Sequence, residues 1–330
     1  MMNGVRRIIY YEVIILLYVN DSDMLKNNVN WHETIDVIRN AIDCILSNNI
    51  SQPIKPYLRF KDLTNRIIAM PAYVGGNVDV AGIKWIASFP KNIEKSIPRA
   101  SSVTVLNDSN TGIPIAIFNT AMISIIRTAS VSGYLLKKYI DFSNYKKYNI
   151  GIIGFGPIGQ NHLEMCQKVL GNGINKTFIY DRRKISCSEN EIICSSWQDV
   201  YNNVDILITC TSTLNRYINI PNSKCKLILD VSLRDFDEKS LDCFSKPFIV
   251  DNWEEVNREN TDIDYYKKLG KINKNQTVSL CDIQLQGLNY YFDKNDAIFF
   301  APMGMAAFDI AIAHHYYNEF LNKGIGLELK

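Results

Sequence analysis

Three glycines near the middle of the chain have the spacing of a turn that binds a dinucleotide. Gly154, Gly156 and Gly159 form the pattern G-x-G-x-x-G directly after an apolar run that begins at Ile150. In such a turn the first glycine bends the chain, the second lets a pyrophosphate approach the backbone, and the third lets a helix pack on the preceding strand. Asp181 follows at the distance expected of an acid that binds a ribose. The spacing therefore predicts a dinucleotide cofactor.

The residues around the glycines distinguish a cofactor site from a turn with a purely structural role. Pro157 and Ile158 separate the second and third glycines, and a run compatible with a helix extends from residue 160 to 170. The N-terminus of that helix would offer free N–H groups and a positive dipole end to phosphates. Strand, turn, helix and acid together favour the cofactor site. Thr211 and Ser232 complete the predicted cofactor contacts.

The acid at position 181 also bears on the type of cofactor. A carboxylate there accepts hydrogen bonds from a ribose 2′-OH and repels a 2′-phosphate, which favours NAD. Arg182 and Arg183 follow immediately, and arginines at that place can instead bind the phosphate of NADP. We predict NAD.

Two isolated cations indicate a site for an anion. Lys84 is the only charge in the run 80–90, and Arg127 is the only charge in the run 109–136. A buried cation without a partner is unfavourable by several kcal/mol, so each needs an anion. Either an internal acid pairs with each cation, or both cations hold a substrate carboxylate in a cleft. In the second case Arg127 would bind the carboxylate through two parallel hydrogen bonds from its planar guanidinium. The predicted dinucleotide site favours the cleft.

A third isolated group follows a core strand. Asp235 comes just after the predicted strand Lys226–Ser232. The carboxyl ends of parallel strands form the edge at which open α/β sheets bind ligands. Asp235 could therefore be a general base, or it could cap the N-terminus of a following helix.

Composition limits the class of protein. The 330 residues suffice for two domains. A net charge of +2 does not indicate binding to nucleic acid or to an anionic membrane. The eight cysteines form no C-x-x-C pair and the four histidines have no ligand spacing, which predicts reduced thiols, a cytoplasmic location and no metal site. The apolar run Ile8–Val19 contains an acid and lacks a cleavage site, so we interpret it as a strand preceded by a short leader.

The order of apolar segments predicts an α/β fold. Helical periodicity from Trp31 to Ile45 is followed by short β-rich pieces between residues 53 and 106, and by a long helix over 120–140. We expect a Rossmann-type doubly wound parallel sheet, together with an α+β substrate and dimerisation domain of residues 1–128 completed by 302–330. The predicted parallel strands of the domain 129–301 are Ile150–Gly154, Thr177–Asp181, Asp205–Cys210, Lys226–Ser232, Pro247–Asp251 and Asp296–Ala301.

Four of these motifs together resemble the ornithine cyclodeaminase/mu-crystallin family. They are Gly82-Ile83-Lys84, Arg127-Thr128-Ala129, the glycine turn 154–159 and Asp235. The resemblance implies a homodimer, with a substrate and dimerisation domain that the C-terminal helix completes and an NAD(P)-binding Rossmann domain. It also implies that Lys84 and Arg127 contact the substrate carboxylate, that Asp235 activates water or relays protons, and that Asp181 holds the ribose.

Within the family, the chain is most similar to the siderophore-pathway branch. The runs 52–59, 66–71, 251–253 and 302–306 carry this likeness. It implies NAD-dependent oxidative hydrolysis of N-(2-amino-2-carboxyethyl)-L-glutamate to 2,3-diaminopropionate and 2-oxoglutarate, for a siderophore or a peptide antibiotic. Ile68 replaces the glutamate of ornithine-cyclising members, which disfavours ornithine cyclodeaminase. The alternatives are another family member (an alanine dehydrogenase, a cyclic imine reductase or, despite Ile68, an ornithine cyclodeaminase) and a non-catalytic crystallin-like NAD(P)H-binding protein.

A substrate with three carboxylates needs several cations. Lys55, Arg59, Arg66 and Arg99 lie near the turns of the substrate-side half, although each could equally be a solvated surface charge. Among these four we favour Lys55 and Arg99 as substrate-binding residues. We also expect burial and the neighbouring Arg127 to lower the pKa of the lysine at position 84.

Overall fold

Two β-sheets, joined by one long helix, form the framework of the protein. The computed structural model describes residues 15–221 and 224–329. The predicted α/β fold with a parallel sheet and a second, mixed sheet is confirmed. The predicted strand Ile8–Val19 lies partly outside the described residues, and within them a strand begins at Leu16.

The first sheet is mixed. Its strand order is β16-β1-β7-β6-β5-β4-β2, with β3 paired to β4. The pair β1 and β7 is parallel, whereas β16 with β1 and the pairs from β7 to β2 are antiparallel. The strands are β1 (Leu16–Asn20), β2 (Ile50–Ser51), β3 (Tyr57–Leu58), β4 (Arg66–Val74), β5 (Val80–Ser88), β6 (Ala100–Asp108), β7 (Pro114–Asn119) and β16 (Leu327–Leu329).

The second sheet is parallel throughout, with the order β10-β9-β8-β11-β12-β15-β13-β14. The chain runs outward from β8 in one direction and then resumes on the other side of β8, so a topological switch point lies between β8 and β11. Its central strands are continuous apolar runs, as burial on both faces requires. The strands are β8 (Tyr148–Ile153), β9 (Ile174–Tyr180), β10 (Glu191–Ile193), β11 (Ile206–Thr209), β12 (Leu227–Asp230), β13 (Phe248–Val250), β14 (Thr277–Ser279) and β15 (Ile298–Ala301).

Helices cover one face of the first sheet and both faces of the second. None of the helices in the described ranges combines the length and the apolar composition that a bilayer-spanning helix requires. The helices are α1 (Asp21–Met24), α2 (Trp31–Leu46), α3 (Met122–Phe142), α4 (Pro157–Leu170), α5 (Trp197–Tyr201), α6 (Glu238–Leu241), α7 (Trp253–Val256), α8 (Asp262–Lys268), α9 (Leu280–Gln286) and α10 (Ala306–Lys323).

Local sequence explains where the main helices begin and which face they bury. The side chain of Asn30 accepts a hydrogen bond from the backbone N–H of Glu33 and caps α2, which begins at Trp31, where the predicted helical periodicity begins. The N-cap residue of α3 is Ala121, and the hydroxyl oxygen of Thr120, one residue before it, accepts a hydrogen bond from the N–H of Met122 at 3.0 Å. Helices α2, α3 and α10 pack together on the buried face of the first sheet. Lys84 points to this face, level with Met70 and Thr104 on the neighbouring strands.

Candidate active site

The three glycines of the predicted cofactor turn have different surroundings. Gly154 follows β8 with φ +94°, and a Cβ atom there would lie 2.6 Å from the backbone carbonyl of Cys210. A Cβ atom on Gly159 would lie 2.2 Å from the carbonyl oxygen of Gly154. A Cβ atom on Gly156 would meet only the Arg183 guanidinium, at 3.7 Å. The first and third glycines are therefore required by backbone packing, and the second faces open space that a cofactor could occupy.

Helix α4 begins directly at this open space. Gly156 is its N-cap residue and Pro157 its first residue, and no side chain of the described residues caps its first turn. Ile158 lies in the same first turn. The N–H groups in the first turn of α4 and the positive end of the helix dipole thus remain available to an anion. The turn lies beside the switch point of the parallel sheet, at the carboxyl ends of β8 and β11.

Asp181 follows β9 and is held by the same turn. Its carboxylate accepts hydrogen bonds from the backbone N–H of Phe155 at 2.7 Å and from the N–H and Nε of Arg183 at 2.8 and 3.0 Å. Burial raises the pKa of Asp181, but these hydrogen bonds outweigh burial and hold the pKa below its usual value. Asp181 is therefore an anion, and Arg183 is folded back onto it.

A second group of charges lies inside the helical layer of the first sheet. The Nζ of Lys84 lies 2.8 Å from one carboxylate oxygen of Asp309, and the Nε of Arg127 lies 3.0 Å from the other. The Lys84 ammonium also donates a hydrogen bond to the hydroxyl oxygen of Ser124 at 3.2 Å. All three charged side chains are buried. An internal acid thus does pair with both cations, but one carboxylate serves two of them, so the group keeps an excess of positive charge.

The pKa of Lys84 is lowered to about 7, and burial is the largest cause. The neighbouring cations Arg127 and Lys55 also lower the pKa, whereas Asp309 opposes the shift. An ammonium of this kind changes charge near neutral pH, which suits a group that holds a carboxylate and also exchanges a proton.

Lys55 is buried at the junction between the two sheets. Its Nζ donates a hydrogen bond to the carbonyl of Gly304 at 2.8 Å and lies 3.6 Å from the carboxylate of Glu255. Burial lowers its pKa. Gly304 has φ +88°, and a Cβ atom there would lie 2.5 Å from the guanidinium of Arg127. The loop before α10 therefore lies against Arg127 and brings Lys55 to the same region.

Four further arginines form what we name the outer arginine cluster: Arg59, Arg66, Arg99 and Arg234. Arg59 forms an ion pair with Glu259, and Arg66 lies 3.8 Å from the same carboxylate. Arg234 donates a hydrogen bond to the backbone carbonyl of Glu259 at 2.8 Å. Within residues 15–221 and 224–329, the guanidinium of Arg99 has no hydrogen-bond or ion-pair partner. Burial, followed by the charges of Arg66 and Arg234, lowers the pKa of Arg99.

Asp235 is completely buried and held by two hydroxyl groups. Thr211 donates a hydrogen bond to it at 2.7 Å, and Ser232 donates to its other oxygen. The two residues predicted to contact the cofactor therefore bind Asp235 through their side chains. The alternative that Asp235 caps a helix is wrong, because Asp237 is the N-cap residue of α6 and accepts from the N–H of Ser240.

The sequence reasoning missed several acids of this region. Asp309 is one, although it is the only charge in the run 302–317 and the argument used for Lys84 would have found it. Asp262 is another: it is buried, it accepts from the backbone N–H groups of Asp235 and Phe236, and burial raises its pKa to about 6. It fixes the loop that carries Asp235.

Two surface cavities, of about 350 and 320 Å³, lie far from these groups. They are at the amino ends of the parallel strands, beside Asn149 and Asp205 in one case and beside Ile174 and Glu191 in the other. Open α/β sheets bind ligands at the opposite edge. We therefore assign the candidate site to the carboxyl edge, where the glycine turn and Asp235 lie.

Comparison with known proteins gives consistent matches over nearly the whole chain. The model of the ornithine cyclodeaminase/mu-crystallin family matches residues 19–324. A curated relative, N-((2S)-2-amino-2-carboxyethyl)-L-glutamate dehydrogenase of Staphylococcus aureus, is 31% identical over 334 residues, 95% of this chain and 98% of the relative. The Δ(1)-pyrroline-2-carboxylate reductase of Thermococcus litoralis, solved with NADH and L-proline, has a TM-score of 0.82 at 23% identity, covering 95% of this chain and 100% of that one. An archaeal alanine dehydrogenase dimer with bound NAD has a TM-score of 0.79 at 20% identity, covering 96% and 99%.

Proposed function

The chain belongs to the ornithine cyclodeaminase/mu-crystallin family, and from this premise we propose that it catalyses the NAD-dependent oxidative hydrolysis of N-(2-amino-2-carboxyethyl)-L-glutamate to L-2,3-diaminopropionate and 2-oxoglutarate. The Staphylococcus aureus relative that is 31% identical bears the name of a dehydrogenase for this substrate. The diaminopropionate would serve siderophore or peptide-antibiotic biosynthesis, in the cytoplasm where NAD is available.

The observation that carries the proposal is the number of cations that lack an acid of their own. Lys84 and Arg127 share Asp309, and the outer arginine cluster has one paired carboxylate, that of Glu259, among the described side chains. A monocarboxylate such as alanine needs one such site, whereas a tricarboxylate needs several. The excess of positive charge therefore favours the tricarboxylate.

The residues around the glycine turn fit NAD. The open side of Gly156 and the uncapped N-terminus of α4 suit a pyrophosphate, and Asp181 suits a ribose diol. Arg183, which could bind the 2′-phosphate of NADP, is instead hydrogen-bonded to Asp181. These contacts support NAD over NADP. When bound there, NAD⁺ supplies an acceptor for the hydride on the glutamyl Cα of the substrate.

The side chains of the candidate site carry out the remaining steps. Lys84 and Arg127 hold the α-carboxylate of the glutamyl moiety, and Lys84 exchanges a proton near neutral pH. Asp235 takes a proton from the water that adds to the substrate imine. The C–N bond of the resulting carbinolamine then breaks, the electron pair leaves with nitrogen, and the nitrogen is protonated to give diaminopropionate. The carbon that lost the hydride becomes the keto group of 2-oxoglutarate.

We also propose that the protein is a homodimer that forms through the open face of the first sheet. This face carries the apolar side chains Pro71, Ile83, Val105 and Ile117 in one row across four strands. Trp85, on the same face, is 45% exposed. A contiguous apolar surface of this kind is typical of a protein interface. The archaeal alanine dehydrogenase with the same fold is a dimer.

The experiment is an absorbance assay for NADH with purified protein. N-(2-amino-2-carboxyethyl)-L-glutamate, ornithine and alanine are each supplied with NAD⁺ and, separately, with NADP⁺. We expect NADH from the first substrate only, with one 2-oxoglutarate released for each NADH. A signal with alanine alone would overturn the substrate. Conversion of ornithine to proline and ammonia is redox-neutral and leaves no net NADH, so ammonia released from ornithine is measured in parallel, and its appearance would likewise overturn the substrate. No NADH from any of the three and no ammonia from ornithine would favour a non-catalytic binding protein.

A further inference from the structure

Glu259 occupies the outer arginine cluster in the way that a bound carboxylate would. Its side chain forms an ion pair with Arg59 and lies 3.8 Å from Arg66, and its backbone carbonyl accepts a hydrogen bond from Arg234. The side chain of Glu259 is only about one fifth exposed. The cluster thus contains an internal anion, which the chain itself supplies.

The segment that carries this carboxylate is held in an unfavourable backbone conformation. Glu259 and Asn260 have φ values of +63° and +55°, in the left-handed region that residues other than glycine rarely adopt. Arg216 stabilises the conformation by donating hydrogen bonds to the carbonyls of Asn260 and Thr261, both at 2.9 Å. The N–H of Asn260 donates to Asp264 at 2.9 Å. Such strain is found mostly at functional sites, and here its result is to direct one carboxylate at the arginines.

The single carboxylate of Glu259 does not neutralise the positive charges of the outer arginine cluster. Arg99 is partly buried, and its guanidinium has no hydrogen-bond or ion-pair partner among the described residues. Burial and the neighbouring guanidinium groups lower the pKa values of Arg99 and Arg234, so the arrangement is unfavourable to both cations. A second anion beside Arg99 would relieve this repulsion.

The cluster also joins the two parts of the chain. Arg59, Arg66 and Arg99 belong to the segments of the first sheet, whereas Arg234 and Glu259 belong to loops of the second. Arg234 directly precedes Asp235. An anion bound between Arg99 and Arg234 would therefore contact both parts and lie next to the loop of the proposed general base.

We propose that the side-chain carboxylate of the glutamyl moiety binds between Arg99, Arg66 and Arg234, and that Glu259 is a competing internal carboxylate which this ligand displaces from the cluster. The inference rests on the proposed function for the identity of the ligand. It makes the cluster a determinant of specificity, because a ligand without a second carboxylate cannot displace Glu259.

The test measures binding rather than turnover. Glutarate is the probe with two carboxylates, and pentanoate is its counterpart with one; affinities for the full chain are measured by isothermal titration calorimetry. We expect R99M and R234M each to weaken glutarate binding at least tenfold, and E259Q to strengthen it at least fivefold. Pentanoate binding should respond to none of the three. Matched controls are R39M and E254Q, which remove exposed ion pairs with Asp36 and Lys274 and should change neither affinity.

The outcomes separate this inference from the proposed reaction. Unchanged or weakened glutarate binding in E259Q, or unchanged binding in R99M, would overturn it even if the protein oxidises the tricarboxylate. The expected pattern in a protein that oxidises none of the three amino acids would overturn the reaction and leave the dicarboxylate site standing. Thermal unfolding verifies that each variant folds. If R234M does not fold, R99M is the deciding variant, since the guanidinium of Arg99 has no hydrogen bond or ion pair to lose among the described residues.

Discussion

Lys84 of β5 and Asp309 of α10 form an ion pair of 2.8 Å in which neither side chain is more than 1% exposed. Helix α10 lies near the C-terminal end of the described chain, whereas β5 lies in its first third. The position of the Lys84 ammonium therefore depends on a contact between residues that are distant in sequence. The carboxylate also holds Arg127. One acid therefore sets the geometry of both cations proposed to bind the substrate.

Replacing Asp309 with Asn should destabilise the protein by about 3 kcal/mol, because removal of one partner leaves buried charges without compensation. The free energy of unfolding, measured with urea at pH 6, where Lys84 is a cation, checks this. In the double variant K84M/D309N the loss should be smaller than the sum of the two single losses, since the two residues contact each other. Additive losses would mean that the pair contributes no coupling energy.

The lowered pKa of Lys84 predicts that carboxylate binding depends on pH. Lys84 is a cation below its pKa of about 7 and neutral above it, so affinity for glutarate should fall as pH rises through 7. The fall approaches about tenfold per pH unit above the pKa if only the ammonium binds. Calorimetric titrations between pH 6 and 9 measure it. The variant K84R should give a nearly flat profile, because arginine does not titrate in this range; an equally steep profile would assign the effect to another group, such as Lys55.

The open face of the first sheet should be the dimer interface. Val105 lies in the centre of its apolar row, between Ile83 and Ile117 on the neighbouring strands. V105E should yield a monomer in sedimentation velocity, because a charge in the core of an interface is unfavourable. I193E places the same charge at an exposed position of β10 and should leave the dimer intact. A dimeric V105E protein would exclude this face.

The parts of the fold that the sequence predicts correctly are those encoded by short, local patterns. The central parallel strands are apolar runs, and the glycine turn has fixed spacing, so both can be located without knowledge of the tertiary structure. Strands β10 and β14 were not predicted, because Glu191–Ile193 and Thr277–Ser279 are three-residue segments that lack a buried apolar pattern. Their pairing depends on neighbours that are already in place.

For the site, the sequence predicts which charged groups require a partner, but not which residues provide it. The isolated charges of Lys84 and Arg127 indicate that each needs an anion, but they do not identify Asp309, which is distant in sequence. Glu259 gives no signal at all, because its role depends on a left-handed backbone conformation that no glycine marks. Long-range pairs and loop conformations are settled by packing, and local periodicity carries no information about them.

Asp235 should be essential for turnover but not for cofactor binding. D235N retains the size of the side chain and can still accept from Thr211 or Ser232, yet it cannot take a proton from water. We expect kcat to fall by roughly a thousandfold, within the range for loss of a general base, while the Kd for NADH stays within about twofold. D237N, two residues later, is the matched control: the Asn side-chain oxygen can still cap α6, so stability should change by less than about 0.5 kcal/mol and activity should be retained. Near-normal turnover in D235N would remove Asp235 from the mechanism.

The two glycines at the start of the turn should respond differently to the same substitution. In G154A the new Cβ atom would lie 2.6 Å from the backbone of Cys210 at a positive φ, so the fold should lose roughly 2–4 kcal/mol. In G156A it would enter the open space beside α4, with nothing closer than the Arg183 guanidinium at 3.7 Å. The free energy of unfolding should then stay within about 0.5 kcal/mol of the wild type, whereas the Kd for NADH should rise about 100-fold, on the order of 3 kcal/mol. Urea denaturation and fluorescence titration with NADH measure the two effects separately. A G156A protein that binds NADH normally would mean that the pyrophosphate does not approach this glycine, and the cofactor would have to bind elsewhere along the carboxyl edge of the second sheet.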